Sequence, residues 1–141
     1  PGLRALEKAA VRAGGGHNHR GNLADFVLVK DNHLIGVSIA EAVSRAVAQW
    51  PMRMVEVECD RLDQLREALA AGATGVLLDN MTPEAVAACV AEVGGRIPVE
   101  VSGGITLETV RAYAGAGVDF ISVGALTASA PVFDIGLDIE P

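Results

Sequence analysis

The sequence predicts an α/β fold, a partial (β/α) barrel of parallel strands, and three observations predict it. Five apolar runs (26–29, 54–57, 75–78, 97–101 and 120–123) each close on one polar or glycine residue. The closing residues Lys30, Glu58, Asp79, Ser102 and Gly124 follow one another at intervals of 28, 21, 23 and 22 residues, about one β–α unit each. Between the runs lie stretches with helix-start and helix-stop residues. A parallel strand buried on both faces reads as a Val/Ile/Leu block, and a polar group follows where it surfaces. In a β/α barrel those ends share one rim, and that rim carries the chemistry.

Taken in order, Pro1 to Ala13 reads as a helix, with proline at the first position and Gly14-Gly15-Gly16 as the stop. His17 to Arg20 is a loop or edge strand leading to the first buried strand. Ser38-Ile-Ala-Glu41 has the pattern of a capping box and opens a helix to about Gln49, which Pro51 ends. Asp60 is the expected N-cap of a helix from Arg61 to Ala71. Thr82-Pro83 starts the next helix, which Gly94-Gly95 closes. Thr106 is expected to cap a further one ending near Gly115. A short helical turn at about 125–129 and a last strand at 132–138 complete the pattern. Alternating strands and helices with short glycine-marked connections require a parallel sheet with right-handed crossovers. Residues 1–130 form the barrel domain in this reading, and 131–141 a C-terminal strand.

At 141 residues the chain has room for one real core but is short of the about 250 residues of a full eight-unit barrel. Either the barrel is incomplete or the rest lies on another chain, and a start on Pro-Gly suggests a piece of something longer. A net charge of −7, with no basic run and no aromatic ladder, argues against nucleic acid. No apolar stretch approaches the about 20 residues that span a bilayer, and no signal peptide is visible. Cys59 and Cys89 form no metal-binding spacing and read as reduced, structural thiols of a cytoplasmic protein. Charge is unevenly spread. Residues 1–33 carry five Lys/Arg against three Asp/Glu, and the remainder six against fifteen. A locally cationic stretch inside an acidic protein suits an anionic ligand, or is ordinary surface variation.

The strand ends carry the candidate chemistry. Ser102-Gly103-Gly104 and Val123-Gly124 are glycine turns after adjacent late strands, where backbone can approach a phosphate closely. Glu58 and Asp79 end neighbouring strands, and two hard oxygen donors there suit Mg²⁺, which takes its other ligands from water and phosphate. Alternatively, one of them caps a helix or pairs with Lys30. Lys30 either contacts an anionic ligand or makes an internal salt bridge to Glu58 or Asp79. His19 and Arg20 are candidates for ligand carboxylates. A zinc site on His17 and His19 lacks a third His or Cys. Glu56 faces the same way as Glu58, and as a buried carboxylate it needs a cation or hydrogen-bond donor; Glu100 poses the same question.

The ordered segments PGLRALEKAAVRAGGGHNHR, LVKDNH, VEVECD, LLDNM, VSGGI, VGALT and FDIGLD resemble the quinolinate phosphoribosyltransferases over essentially the whole chain. The resemblance implies joining of quinolinate to phosphoribosyl pyrophosphate with decarboxylation, a step of NAD biosynthesis. It implies that His19 and Arg20 face the quinolinate carboxylates and that Lys30 contacts both substrates. Glu58 and Asp79 would hold Mg²⁺ and the ribose hydroxyls, and Ser102, Gly103 and Gly124 would cradle the 5′-phosphate. It also implies a homodimer or higher homo-oligomer. The family's T-R-K-T segment and N-terminal domain are expected before Pro1, and the 132–138 run is expected to pack on that domain. By itself the chain is then expected to be inactive or nearly so. Two rivals remain: a paralogous phosphoribosyltransferase-like protein, nicotinate-specific or molybdenum-associated, and a non-catalytic phosphate-binding barrel fragment.

Overall fold

The computed structural model describes residues 2–139. Its elements are α1 (Arg4–Ala13), β1 (Val27–Val29), α2 (Ile39–Gln49), β2 (Val55–Cys59), α3 (Leu62–Ala70), β3 (Gly75–Asp79), α4 (Pro83–Val93), β4 (Val99–Ser102), α5 (Val110–Gly115), β5 (Phe120–Ile121) and α6 (Ala125–Ala128). The five strands form one sheet in the order β1-β2-β3-β4-β5, and every neighbouring pair is parallel. The expected partial α/β barrel is therefore what the chain forms. Among the described residues no helix is long and apolar enough to cross a membrane.

The two faces of the sheet differ. Val55, Val57, Cys59, Val76, Leu78, Val99 and Val101 point to the helix-covered side, with Leu65, Val43, Val86 and Cys89 of the helices in the same core. Burying each such Leu or Val stabilises the fold by about 1.5–3 kcal/mol. The alternate residues point to the other, inner face. Leu28 pairs in register with Glu56 and Glu56 with Gly75, while Glu58, Leu77, Glu100 and Phe120 form the next row across the sheet. Side chains alternate strictly along a strand, so polar residues two apart from these share the inner face. That places Asp79 and Ser102, themselves in register, at its upper edge.

Several local expectations hold. Ser38 Oγ accepts a hydrogen bond from the Glu41 amide at 3.1 Å and caps α2. Thr82 does the same for α4 with Pro83 in its first turn, and Gly94 ends that helix at φ 59°. Others do not. The first helix begins at Arg4, with Leu3 before it, and the expected proline start falls on Pro1, outside the described residues. Asp60 does not cap α3. Arg61 stands at that position without a side-chain cap, and the Asp60 amide instead donates to Gln64 Oε1 at 2.8 Å. Thr106 does not open α5, which starts at Val110. The Thr106 amide donates to Thr109 Oγ1 at 2.9 Å, so this pair makes a turn that delays the helix. The strand expected at 132–138 does not form. Those residues carry no helix or strand, and Val132, Phe133, Ile135 and Leu137 stand exposed. A strand needs a neighbour for its backbone hydrogen bonds, and none lies beside this segment among the described residues.

Candidate active site

All five strands point the same way, so their C-terminal ends lie on one rim, and the predicted residues are there. Lys30 follows β1, Glu58 is in β2, Asp79 ends β3, Ser102 ends β4, and Gly124 follows β5 and precedes α6. Lys30 Nζ forms an ion pair with Glu58 Oε2, with the Glu58 side chain 13 % exposed. Of the alternatives for Lys30, the internal salt bridge is thus made, and to Glu58. The Lys30 amide donates to His33 Nδ1 at 2.9 Å, where a 3-10 turn at Asp31–Leu34 begins. His33 was missed in the sequence because it bears on Lys30 through this turn. The turn's signal is only a polar residue three positions on.

Asp79 is held from both sides. Ser102 Oγ donates to its Oδ1, and Asn80 Nδ2 to its Oδ2. Asn80 adopts φ 55°, a conformation rare outside glycine but tolerated by asparagine. Gly103, at φ 96°, passes so close that a Cβ there would stand 2.3 Å from Asn80 Oδ1 and 2.6 Å from its amide nitrogen. Glycine is therefore required by both conformation and space. The turn does not run directly into a helix, because residues 103–109 precede α5. Gly103 and Gly104 offer backbone, not a helix terminus, to a ligand.

His19 and Arg20 lie lower, against the inner face. A cavity of about 860 Å³ is lined by Arg4, Lys8, His19, Arg20, Ser122 and Gly124, among others. It joins the cationic N-terminal stretch to the last glycine turn. His19 Nε2 lies 3.7 Å from Glu56 Oε2 and 3.6 Å from Glu100 Oε2. Glu56 and Glu100 are 2 % and 7 % exposed, and the imidazole is the basic group that approaches both buried carboxylates, beyond hydrogen-bond length. Ser122 Oγ donates to the other Glu100 oxygen. Contact with Glu56 raises the His19 pKa from its ordinary value; Glu100 adds to this, while burial and Arg20 oppose it. Burial raises the pKa of Glu100, helped by Glu56 and opposed by Ser122 and His19. Arg20 stacks over Phe26, its Cζ 5.6 Å from the ring centroid.

The rim thus presents two neighbouring carboxylates, a lysine and two glycine turns, with a cationic cavity beside them. Carboxylate oxygens are the hard donors that Mg²⁺ takes, and it needs only one or two from protein. Glu58 and Asp79 fit that chemistry, though Lys30 and Ser102 hold them at present.

Residues 1–138 match the family described as quinolinate phosphoribosyl transferase, C-terminal domain. The chain belongs to that family. It is 48 % identical over 141 residues to the probable carboxylating nicotinate-nucleotide pyrophosphorylase of Bacillus subtilis, covering 99 % of this chain and 49 % of that protein. To the corresponding Mycobacterium leprae protein it is 47 % identical over 143 residues, covering 99 % and 50 %. The solved nicotinate-nucleotide pyrophosphorylase of Ehrlichia chaffeensis superposes with a TM-score of 0.94 at 42 % identity, over 99 % of this chain and 52 % of that one. This quinolinate phosphoribosyl transferase domain therefore spans about half the length of the relatives it matches.

Proposed function

We propose that this domain carries the rim and substrate cavity of a carboxylating phosphoribosyltransferase. The enzyme would join quinolinate to phosphoribosyl pyrophosphate and release CO₂, pyrophosphate and nicotinate mononucleotide. The observation that carries the reading is the placement of Lys30, Glu58, Asp79 and Ser102 on the C-terminal ends of four adjacent parallel strands. A sugar phosphate laid on that rim would meet a cation, two carboxylates and close-approach backbone within one span.

In this reading Ser102, Gly103 and Gly124 hold the 5′-phosphate through hydroxyl and backbone N–H groups. Glu58 and Asp79 accept hydrogen bonds from the ribose hydroxyls. As pyrophosphate leaves C1, positive charge develops on the ribose, and these two carboxylates stabilise it. Mg²⁺, held by Glu58 and Asp79, would supply charge neutralisation for the departing anion. Lys30 would turn from Glu58 toward the substrates on binding. His19 and Arg20 orient the quinolinate carboxylates so that the pyridine nitrogen faces C1. Attack makes a pyridinium, whose positive nitrogen stabilises the C2 carbanion left when the adjacent carboxylate departs as CO₂. That carbanion takes a proton from water to give nicotinate mononucleotide. Orientation of two anionic substrates is then the main task, and no nucleophile from the protein is needed.

The remaining parts of the reading concern what completes the site. An N-terminal portion, with further cationic groups, would cover the exposed apolar residues Val132, Phe133, Ile135 and Leu137. A homodimer or higher oligomer in the cytoplasm is the expected form. The test is formation of nicotinate mononucleotide and CO₂ from quinolinate and phosphoribosyl pyrophosphate, with this chain alone and joined to the N-terminal portion of a relative. Turnover is expected only from the joined protein. Preference for nicotinate with no CO₂ released would support the paralogue instead, and full activity of the chain alone would overturn the incomplete-site reading.

A further inference from the structure

Among the described residues, two buried side-chain atoms have no hydrogen-bond partner: His19 Nε2 and Glu56 Oε2. They face each other, and Glu100 approaches the same nitrogen from β4. The ring is also fixed elsewhere. Lys8 Nζ donates to the His19 carbonyl at 2.8 Å, and Asn18 Nδ2 donates to the Lys8 carbonyl at 3.1 Å, tying this loop to α1. The Phe26 ring meets the imidazole edge-on with centroids 5.2 Å apart. The His19 side chain keeps 32 % exposure although Nε2 is buried, so Nδ1 is the ring nitrogen left for a ligand.

We propose that Glu56 and Glu100 are positioning residues that clamp His19 by its Nε2 edge and keep it a cation, so that Nδ1–H is a fixed, charged donor to an anionic ligand. Two carboxylates a few ångströms apart on the inner face repel one another, and one shared imidazolium relieves both. Ser122 sets the orientation of Glu100 by bonding its second oxygen. The other charged or titratable groups about the cavity are Arg20, which opposes protonation, Lys8 on the His19 carbonyl, Arg4 and Glu7 of α1, His17, and Asp119, whose Oδ2 accepts from the Val99 amide at 2.8 Å. The assignment of the ligand as a dicarboxylate rests on the function proposed above, whereas the clamp itself does not.

The raised His19 pKa agrees with this arrangement. The competing chemistry is a divalent cation, because one donor atom from each of His19, Glu56 and Glu100 lies within 4.8 Å of the others. A metal would require neutral imidazole, so the two readings differ in a proton.

The test is an NMR titration of the histidine side chains of this chain, with His19 assigned by comparison with His17→Gln and His33→Gln. The His19 midpoint is expected above the ordinary value of about 6.5, and to fall in Glu56→Gln and again in Glu100→Gln. Equal midpoints in wild type and both variants would overturn the clamp, as would loss of the His19 proton at neutral pH on adding Zn²⁺ alone. In the completed enzyme, Glu56→Gln is expected to raise KM for quinolinate about tenfold with kcat within about twofold, as the His19 hydrogen bond to the ligand loses its charge. Normal NMR behaviour with no quinolinate effect on His19 would leave the clamp standing and remove the substrate assignment.

Discussion

Lys30 closes on Glu58 across the ends of β1 and β2, an ion pair whose lysine is 40 % exposed and whose glutamate is 13 % exposed. The lysine is part-exposed but the carboxylate is largely buried, so taking the lysine away leaves Glu58 without its partner, at a cost of about 1–3 kcal/mol. Lys30→Ala should therefore lower the urea midpoint of the chain, by about 1–3 kcal/mol of stability. In the completed enzyme the same change, and Asp79→Ala, should weaken phosphoribosyl pyrophosphate binding at least about tenfold, read by calorimetry. Binding within about twofold of wild type in both variants would favour the non-catalytic rival.

Gly103→Ala places a methyl group where Asn80 already stands, at φ 96°. Left-handed backbone costs an L-residue about 1–2 kcal/mol, and forced repacking about 1–3 kcal/mol more. Denaturant unfolding should show a loss of about 2–5 kcal/mol. Gly104→Ala is the control: it shares a positive φ of 60° but meets nothing within 4 Å, so it should cost only the conformational part.

Stability should fall as pH rises through the His19 titration. The folded pKa of His19 is raised above its unfolded value of 6.5, so its stabilising contribution is complete below about 6.5 and is lost as pH climbs through the folded value. Glu100 is raised too, from 4.5, so its contribution is present below that value and is lost as pH rises through its folded value. Urea midpoints measured on either side of neutrality should differ in the wild type. In His19→Gln the upper slope should vanish, and a persistent slope would point to another group.

Cys59 and Cys89 should be inert in the folded chain. Burial pushes the Cys59 thiol up to about 12 and raises Cys89 as well. A thiol reacts as its thiolate, so a disulfide reagent at neutral pH should label neither until the chain unfolds. Labelling at the rate of a free thiol in native buffer would show that the helix–sheet core opens far more readily than its packing indicates.

The sheet was legible because its signal is local. Val and Leu blocks ending in Lys30, Glu58, Asp79 and Ser102 state both the strands and their exposed ends, and a parallel order follows from the helices between them. Ser38 and Thr82 were legible as caps for the same reason, since a cap reaches only three residues. Asp60 and Thr106 failed as caps because their side chains are engaged elsewhere: Arg61 Nη1 donates to the Asp60 carboxylate, and the Thr106 hydroxyl lies against Thr109 Oγ1. The run at 132–138 alternates like a strand, but pairing is supplied by a neighbour and not by the segment itself.

What the chain's own order of residues determined is the five parallel strands and the rim on which Lys30, Glu58, Asp79, Ser102 and Gly124 emerge. What only the tertiary structure decided is which partner each charge takes. Lys30 goes to Glu58, Ser102 to Asp79, and His19 to both Glu56 and Glu100. Periodicity fixes which face a side chain leaves from. Meetings between charges far apart in sequence depend on sheet register and on the path of the loop from Gly14 to Phe26, which no local pattern encodes.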